Sequence, residues 1–352
     1  MIATVNASAF GKLVKVANTV IEPKDTIRSN VEIRAVDGKL FIKATGNTCL
    51  LEMSTSAEVT EDGEAIVDGR MLYNIVQKAT NQLTITSKDG SCVIRANGRT
   101  KLPIIDVSLP HISEPSGETI AVDAEAFKKL YGKISYAISE DQTRIVLTGA
   151  LIECEGGVMK MTALDGFQMS HSYIGCEGKG RFIVPRKVLD TICTSVGDGM
   201  LYFNTDGNRI VATNGDTIVN GALLNGDYID YDRLLPQTFA TECLVNTESM
   251  RSALSSSLIC TEGNNLLKMT VGEDKVTIRT NNQTADFEAV EDAKVRGNGL
   301  QIAFNVKYLI GAFNSIETEQ AVMKFNQSIS PMILTGEGSV DVHLILPVRV
   351  FN

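Results

Sequence analysis

Val5-Asn6-Ala7-Ser8-Ala9-Phe10-Gly11-Lys12-Leu13 returns as Val122-Asp123-Ala124-Glu125-Ala126-Phe127-Lys128-Lys129-Leu130, and more loosely as Val245-Asn246-Thr247-Glu248-Ser249-Met250-Arg251-Ser252-Ala253. Each copy opens with Asn or Asp, whose side chain can accept a hydrogen bond from the free N–H groups of a helix start. Apolar residues then follow at helical spacing, with Phe10, Leu13, Val14 and Ala17 in the first copy and Phe127, Leu130 and Ile134 in the second. The block therefore predicts an amphipathic helix.

A second block recurs in the same order and at nearly the same spacing. It reads Val67-Asp68-Gly69-Arg70-Met71-Leu72-Tyr73-Asn74-Ile75-Val76, then Val184-Pro185-Arg186-Lys187-Val188-Leu189-Asp190-Thr191-Ile192-Cys193, then Phe304-Asn305-Val306-Lys307-Tyr308-Leu309-Ile310-Gly311-Ala312-Phe313. Leu72 and Val76, Leu189 and Cys193, and Leu309 and Phe313 stand four apart, so each copy is again a helix with one buried face. Pro185 suits the first helical position, where its missing N–H costs little. Chance likeness of amphipathic segments does not explain two different blocks with one shared order and period.

Short strand-like runs lie between the helices. Leu83–Thr86 and Cys92–Arg95 flank Lys88-Asp89-Gly90-Ser91, and Leu201–Asn204 and Arg209–Ala212 flank Thr205-Asp206-Gly207-Asn208. Asp-Gly between two such runs is a hairpin signal. Each repeat thus reads as helix, strands, helix, strands, an α+β class of three similar domains over 1–117, 118–241 and 242–352. The boundaries fall in the turn-rich stretches after Pro110 and Pro115 and after Pro236.

The chain of 352 residues has a net charge of −9. The six predicted helical windows reverse that sign. They hold eleven basic residues, Lys12, Lys15, Arg70, Lys78, Lys128, Lys129, Lys133, Arg186, Lys187, Arg251 and Lys307, against the five acids Asp68, Asp123, Glu125, Asp190 and Glu248. Four of those acids lie in a first turn or its cap, where the helix dipole favours them. Arg70, Lys187 and Lys307 share one column of the second block. Scattered helix lysines are usually a solvated face, but the shared register favours a polarised molecule whose basic helices meet phosphate. No base-reading motif occurs, so such binding is electrostatic, salt-sensitive and blind to sequence.

Seven cysteines without a CxxC, an odd number, read as reduced and mostly buried thiols of a cytoplasmic protein. No run of eighteen apolar residues and no signal peptide is present, so no membrane partner is expected. Only His111, His171 and His343 are available as imidazole ligands, and no metal or cofactor is expected. Walker-type, GxSxG and HExxH motifs are absent, and glycines 175, 178 and 180 do not match GxGxxG. Ser170 and His171 are adjacent on a strand and so point to opposite faces. Glu153 and Glu155 share a strand face, which a solvated edge explains better than acid–base work. The chain is not expected to be an enzyme.

The whole chain resembles the bacterial DNA polymerase III beta subunit family, the sliding clamps. The resemblance is carried by Thr162-Ala163-Leu164-Asp165-Gly166-Phe167-Gln168-Met169-Ser170, by Leu224-Asn225-Gly226-Asp227-Tyr228-Ile229-Asp230-Tyr231 through Leu235-Pro236, by Phe304-Asn305-Val306-Lys307-Tyr308-Leu309, and by the ending Leu344-Ile345-Leu346-Pro347-Val348-Arg349. It implies three clamp domains, each of two helices packed on antiparallel sheets, and two chains joined head to tail into a closed ring whose helices face duplex DNA. The eleven helical cations, with Lys24 in the loop after the first helix, would then be the DNA contacts. Ile75, Arg99, Lys101, Leu102 and Ile104 of one chain would meet Leu258 and Ile259 of the other, with Arg99 and Lys101 facing Asp286 or Glu288.

The resemblance also implies an apolar groove for short linear motifs of the DNA polymerase III alpha subunit, clamp-loader subunits and repair polymerases. Position by position it falls on Leu147, Leu164, Gly166, Phe167, Gln168, Met169, Pro236, Ser330, Leu344, Leu346, Pro347, Val348 and Arg349. Core packing is the simpler role for Leu147 and Leu344 taken singly. Leu164, Phe167 and Gln168 stand where the family carries polar residues, which predicts a more apolar groove with altered motif preference. Two functions follow: a processivity factor that encircles DNA without sequence specificity, or a clamp-like interaction scaffold that does not load on DNA.

Overall fold

The computed structural model describes residues 1–111, 117–261, 263 and 265–349. All six helices form where the two blocks repeat: α1 (Ala7–Val20), α2 (Gly69–Val76), α3 (Ala124–Ile134), α4 (Arg186–Ser195), α5 (Thr247–Ser257) and α6 (Val306–Asn314). Five have an Asn or Asp cap whose side chain accepts from the backbone: Asn6 from Ala9, Asp68 from Met71, Asp123 from Ala126, Asn246 from Ser249 and Asn305 from Lys307. Pro185 takes the cap position of α4, one residue before the first helical position assigned to it from the sequence.

Equivalent positions of the repeats occupy equivalent places in the core. Val5, Val122 and Val245 are buried, as are Phe10, Phe127 and Met250, and Leu72, Leu189 and Leu309. Burying one such side chain stabilises by about 1.5–3 kcal/mol, so the repeated apolar columns are what drive each helix onto its sheet. Both Asp-Gly hairpins form. Gln82–Lys88 pairs with Ser91–Arg95 through Asp89 and Gly90, at φ of 50° and 69°, the left-handed pair that a type I′ turn requires. Met200–Thr205 pairs with Arg209–Asn214.

The chain folds as two compact units that do not follow the repeat boundaries. The first comprises Met1–Phe127 with Cys176–Leu224, and the second Lys128–Gly175 with Asn225–Asn352. The middle repeat is divided because its strands pair outside it. Thr217–Ala222 pairs with Cys49–Ser56 of the first repeat, and Gln168–Gly175 pairs with Val342–Ile345 of the third. An open sheet edge leaves backbone donors and acceptors unpaired, and neighbouring repeats satisfy one another's edges.

In the first unit, a five-stranded antiparallel sheet ends at Arg99–Pro103, whose one strand partner among the described residues is Ser91–Arg95. An eight-stranded sheet runs from Thr119–Asp123 to Gly63–Asp68. In the second unit, antiparallel strands run from Gly149–Glu155 through the 342–345 strand to Leu300–Asn305. Asp286–Gly297 pairs through its 293–297 half with Thr241–Asn246 and through its 286–292 half with Lys275–Asn281. The core of this unit gathers Met250, Leu254, Phe304, Leu309, Phe313 and Phe325.

Candidate nucleic-acid face and peptide groove

In the first unit α1 packs on α2 and on α4. Gln77 Nε2 donates to the carbonyl of Gly11 at 2.9 Å, and Lys187 Nζ donates to that of Thr19 at 2.6 Å. With their apolar stripes turned to the sheets, these helices leave Lys12, Lys15, Arg70, Lys78 and Lys187 exposed. Lys24 is exposed in the loop that follows α1. In the second unit Lys307 is exposed at the start of α6. Lys128 is half-buried and Lys129 exposed, both on α3.

Lys133, Arg251 and Arg186, all expected phosphate contacts, have carboxylates beside them. Lys133 is held between Glu317 at 2.8 Å and Asp341 at 2.9 Å and is mostly buried. Two carboxylates already neutralise it, so it is a fastening of the second unit. Arg251 donates from Nε to Phe313 O at 2.9 Å and also reaches Ile316 O, satisfying carbonyls at the C-terminal end of α6, and lies 3.3 Å from Glu248. Arg186 stands 3.9 Å from Asp190 one turn on. The sequence pattern shows which helix a cation is on but not which carboxylate the tertiary fold brings to it.

The groove residues all lie in the second unit. Asp165 Oδ1 accepts from the amides of Phe167 and Gln168 at 2.7 and 2.9 Å, and Gly166 takes φ +95°, so the 165–168 segment is a tight loop. A Cβ at Gly166 would stand 3.0 Å from the Arg144 guanidinium, and one at Gly226 would stand 2.8 Å from Val146. The 141–148 segment therefore lies between the 165–168 loop and the 225–231 segment. The C-terminal segment is fixed on both sides: Leu346 N–H donates to Phe167 O and Val348 N–H to Ala303 O, each at 2.8 Å.

Phe167, 58% exposed, stacks on Tyr308 with 6.2 Å between ring centroids and 17° between planes. Ile145, Leu234, Ile329 and Val348 are exposed as well. Gly166, Pro236, Ser330, Leu346, Pro347 and Arg349 are exposed or half-buried. Leu147, Leu164, Met169 and Leu344 are instead buried at 1–4% exposure and form the floor under this surface. Gln168 is also buried, donating from Nε2 to Tyr136 O at 3.2 Å and to Asp165 Oδ2 at 2.9 Å. Its Nε2 group is thus engaged inside the protein. Sequence reading missed Tyr308, Ile145 and Ile329. Tyr308 stands in the Phe304–Leu309 stretch that carries the family resemblance, but nothing local to that stretch shows that its ring meets Phe167.

Beneath the groove lies a polar cluster. Ser170 Oγ is 2.9 Å from His343 Nδ1, Tyr136 Oη is 3.0 Å from the same nitrogen, and Ser170 Oγ also donates to Lys133 O at 3.0 Å. Ser170 and His343 have no exposed surface, so the hydroxyl–imidazole pair is out of reach of a substrate. Burial pushes His343 down to about 4. Burial, aided by Lys160, pushes His171 down to about 4 as well. Asp341 is pulled the other way. Burial raises its pKa, but hydrogen bonds from Ser172 and Lys133 outweigh it and hold the carboxyl below the ordinary range. Glu153 accepts from Tyr231 Oη at 2.6 Å and lies 3.5 Å from Lys160, a structural pairing.

At the expected dimer surfaces, Arg99, Lys101 and Ile259 are exposed and Ile75, Ile104 and Leu258 half-buried. Leu102 is 4% exposed, its side chain turned into the core of its own sheet by strand alternation. It has no surface to offer a partner. All seven cysteines are free thiols, four of them buried. Among the described residues no helix is long and apolar enough to cross a membrane, and no cluster of three or more His, Cys, Asp or Glu side chains has the makings of a metal site.

Family models of the DNA polymerase III beta subunit match nearly the whole chain: the N-terminal domain over residues 1–108, the central domain over 121–230 and the C-terminal domain over 232–349. The chain is 25% identical to the beta sliding clamp of Streptomyces coelicolor over 363 residues, covering 93% of each. It is 25% identical to that of Pseudomonas putida over 367 residues, covering 99% of each. In fold it is similar to the crystal structure of the DNA polymerase III beta subunit of Thermotoga maritima, at a TM-score of 0.91 and 18% identity over all of both chains. It is equally similar to the Pseudomonas aeruginosa sliding clamp crystallised with griselimycin, at a TM-score of 0.91 and 23% identity over 99% of this chain and 100% of that one.

Proposed function

This chain belongs to the DNA polymerase III beta subunit family, and on that premise we propose how its surfaces perform the work of a sliding clamp. A clamp is a processivity factor and not a catalyst: it has to hold duplex DNA without reading it and hold a polymerase without reacting with it. The observation that carries the reading is the column of exposed cations at one position of the repeated helix, Arg70, Lys187 and Lys307, joined by the exposed Lys12, Lys15, Lys78 and Lys129 and the half-buried Lys128. Phosphate meets these lysines and arginines through exchangeable, sequence-independent contacts, while the net negative remainder of the chain repels DNA from other faces.

Two chains close the ring head to tail. Among the described residues Arg99–Pro103 and the 286–292 half of Asp286–Gly297 each have one side without a strand partner, and the cations Arg99 and Lys101 on the first complement Asp286 and Glu288 on the second. A heterologous contact of this kind makes a closed ring when its rotation completes a circle. The three domains extend over 1–117, 118–241 and 242–352. The groove around Phe167, Tyr308, Leu346, Pro347 and Val348 holds an apolar linear motif of the DNA polymerase III alpha subunit, clamp-loader subunits or repair polymerases, in the cytoplasm. The deciding experiment compares retention on nicked circular DNA with retention after linearisation. A clamp stays on the circle and runs off the free ends, whereas a scaffold that does not load on DNA shows the same low retention on both.

A further inference from the structure

The sheet formed by Leu266–Val271, Lys275–Asn281 and Leu300–Asn305 buries Leu267, Met269, Ile278, Ile302 and Phe304 on one face. Alternation puts Lys268, Arg279, Gln301 and Ala303 on the other face. That outer face carries an open cleft of about 600 Å³. Register sets Ala303, Lys268, Arg279 and Glu288 in one row across four strands. Two cations directly opposite each other on one face destabilise a strand pair. Glu288 pairs with Arg279 and relieves half of this conflict. The other neighbour of Lys268 in the row is the uncharged Ala303, and Lys268 has no carboxylate partner among the described residues. Beyond Ala303 runs the C-terminal segment, tied there by the Val348 amide, and Arg349 lines the same cleft.

We infer that this cleft receives an acidic stretch of the partner segment whose apolar residues occupy the groove, an inference that rests on the groove reading above. Three features carry it. The cleft gathers Lys268, Arg279 and Arg349 on a chain of net charge −9, so it is a local reversal of sign. Its floor at Ala303 is small and nearly closed, which admits an extended backbone next to the cations. It is also continuous with the groove, since Val348 and Arg349 belong to both. A peptide that leaves the groove past Val348 passes Arg349 and Lys268, and carboxylates at that point supply the charge Lys268 lacks. Three cations beside apolar Val348 and Ile329 suit a few carboxylates better than a nucleic-acid backbone, which is held through many phosphate contacts.

The test uses the full chain and short fluorescent peptides with a Leu-Phe core, flanked on either side by Ser-Ser-Ser or Asp-Asp-Asp, titrated by anisotropy. The acidic flank on one side is expected to tighten binding by about fivefold at low salt, the range of one or two exposed ion pairs, and to lose that gain as salt rises. Lys268→Glu is expected to abolish the gain and leave the serine-flanked peptide bound as before. Equal affinity for both flanks, or a gain that survives Lys268→Glu, overturns the inference while the groove reading stands. No binding of the serine-flanked peptide removes the groove reading and this inference with it. Displacement of the acidic peptide by a single-stranded oligonucleotide, with the same loss on Lys268→Glu, identifies a nucleic-acid site and also overturns it.

Discussion

The ring of Phe167 lies almost parallel to that of Tyr308, so a loop residue of the middle repeat and a helix residue of the third together make one aromatic wall. The carbonyl of Phe167 also accepts from the Leu346 amide, which fixes the wall beside the C-terminal segment. Phe167→Ala removes the exposed half of this wall without emptying the core. Peptide affinity is expected to fall about tenfold, the loss typical of an aromatic anchor at a binding surface. The melting temperature should change little, because the side chain is mostly exposed. Anisotropy titration and a thermal melt of the same preparation separate the two effects.

Lys12 and Arg251 occupy nearly matching places in the repeated block and are expected to respond oppositely. Lys12→Ala removes an exposed cation, so DNA retention weakens and becomes less salt-dependent while stability stays within about 0.5 kcal/mol of the parent. Arg251→Ala leaves carbonyls at the end of α6 without their donor and is expected to cost about 1–3 kcal/mol in urea unfolding. Equal stability losses in the two variants would contradict this assignment.

His343 and His171 are buried neutral, with pKa values of about 4 against 6.5 for the free side chain. The unfolded chain therefore takes up protons that the folded chain refuses as pH falls from about 6.5 toward 4. Stability declines through that window, and the slope flattens below the folded pKa. The Asp341 carboxyl, held below the ordinary range, adds a loss that sets in near pH 4 and continues below it. Urea midpoints at closely spaced pH values should show the decline, and His343→Asn should make it shallower.

Ile259 is 81% exposed in the 3-10 turn Leu258–Cys260 that follows α5. In the head-to-tail ring proposed above, this side chain and the half-buried Leu258 would be covered by the partner chain. Ile259→Glu is expected to convert a two-chain species into monomers at micromolar concentration with unchanged circular dichroism. Sedimentation that still shows dimers would remove this residue from the interface.

Removing the Asp341 carboxylate tests the cluster beneath the groove. Asp341→Ala leaves Ser172 without its acceptor and Lys133 with Glu317 alone, and a loss of about 1–3 kcal/mol is expected. Asp341→Asn keeps one acceptor oxygen for Ser172 but gives up the charge and the second acceptor, and it should lose less than Asp341→Ala, which calorimetry of the two variants would check.

Local chemistry was enough to make the helices, their caps and the Asp-Gly hairpins legible. Asn6, Asp68, Asp123, Asn246 and Asn305 act on amides two or three residues away, and Phe10, Phe127 and Met250 repeat because each helix buries the same column. Charge segregation was legible for a similar reason, since a helix presents its cations at fixed angles whatever it packs on. The division into two units was not, because it depends on Thr217–Ala222 finding Cys49–Ser56 and on Gln168–Gly175 finding Val342–Ile345, edge pairings between segments far apart in the chain. The same distance hid the partners of Lys133 and Arg251, the burial of Leu102 and Gln168, and the stacking of Phe167 on Tyr308. By itself the sequence determined what each segment becomes. Only the tertiary structure decided which segments share an edge and which side chains remain free, because long-range pairing and desolvation are properties of neighbours that the local sequence does not contain.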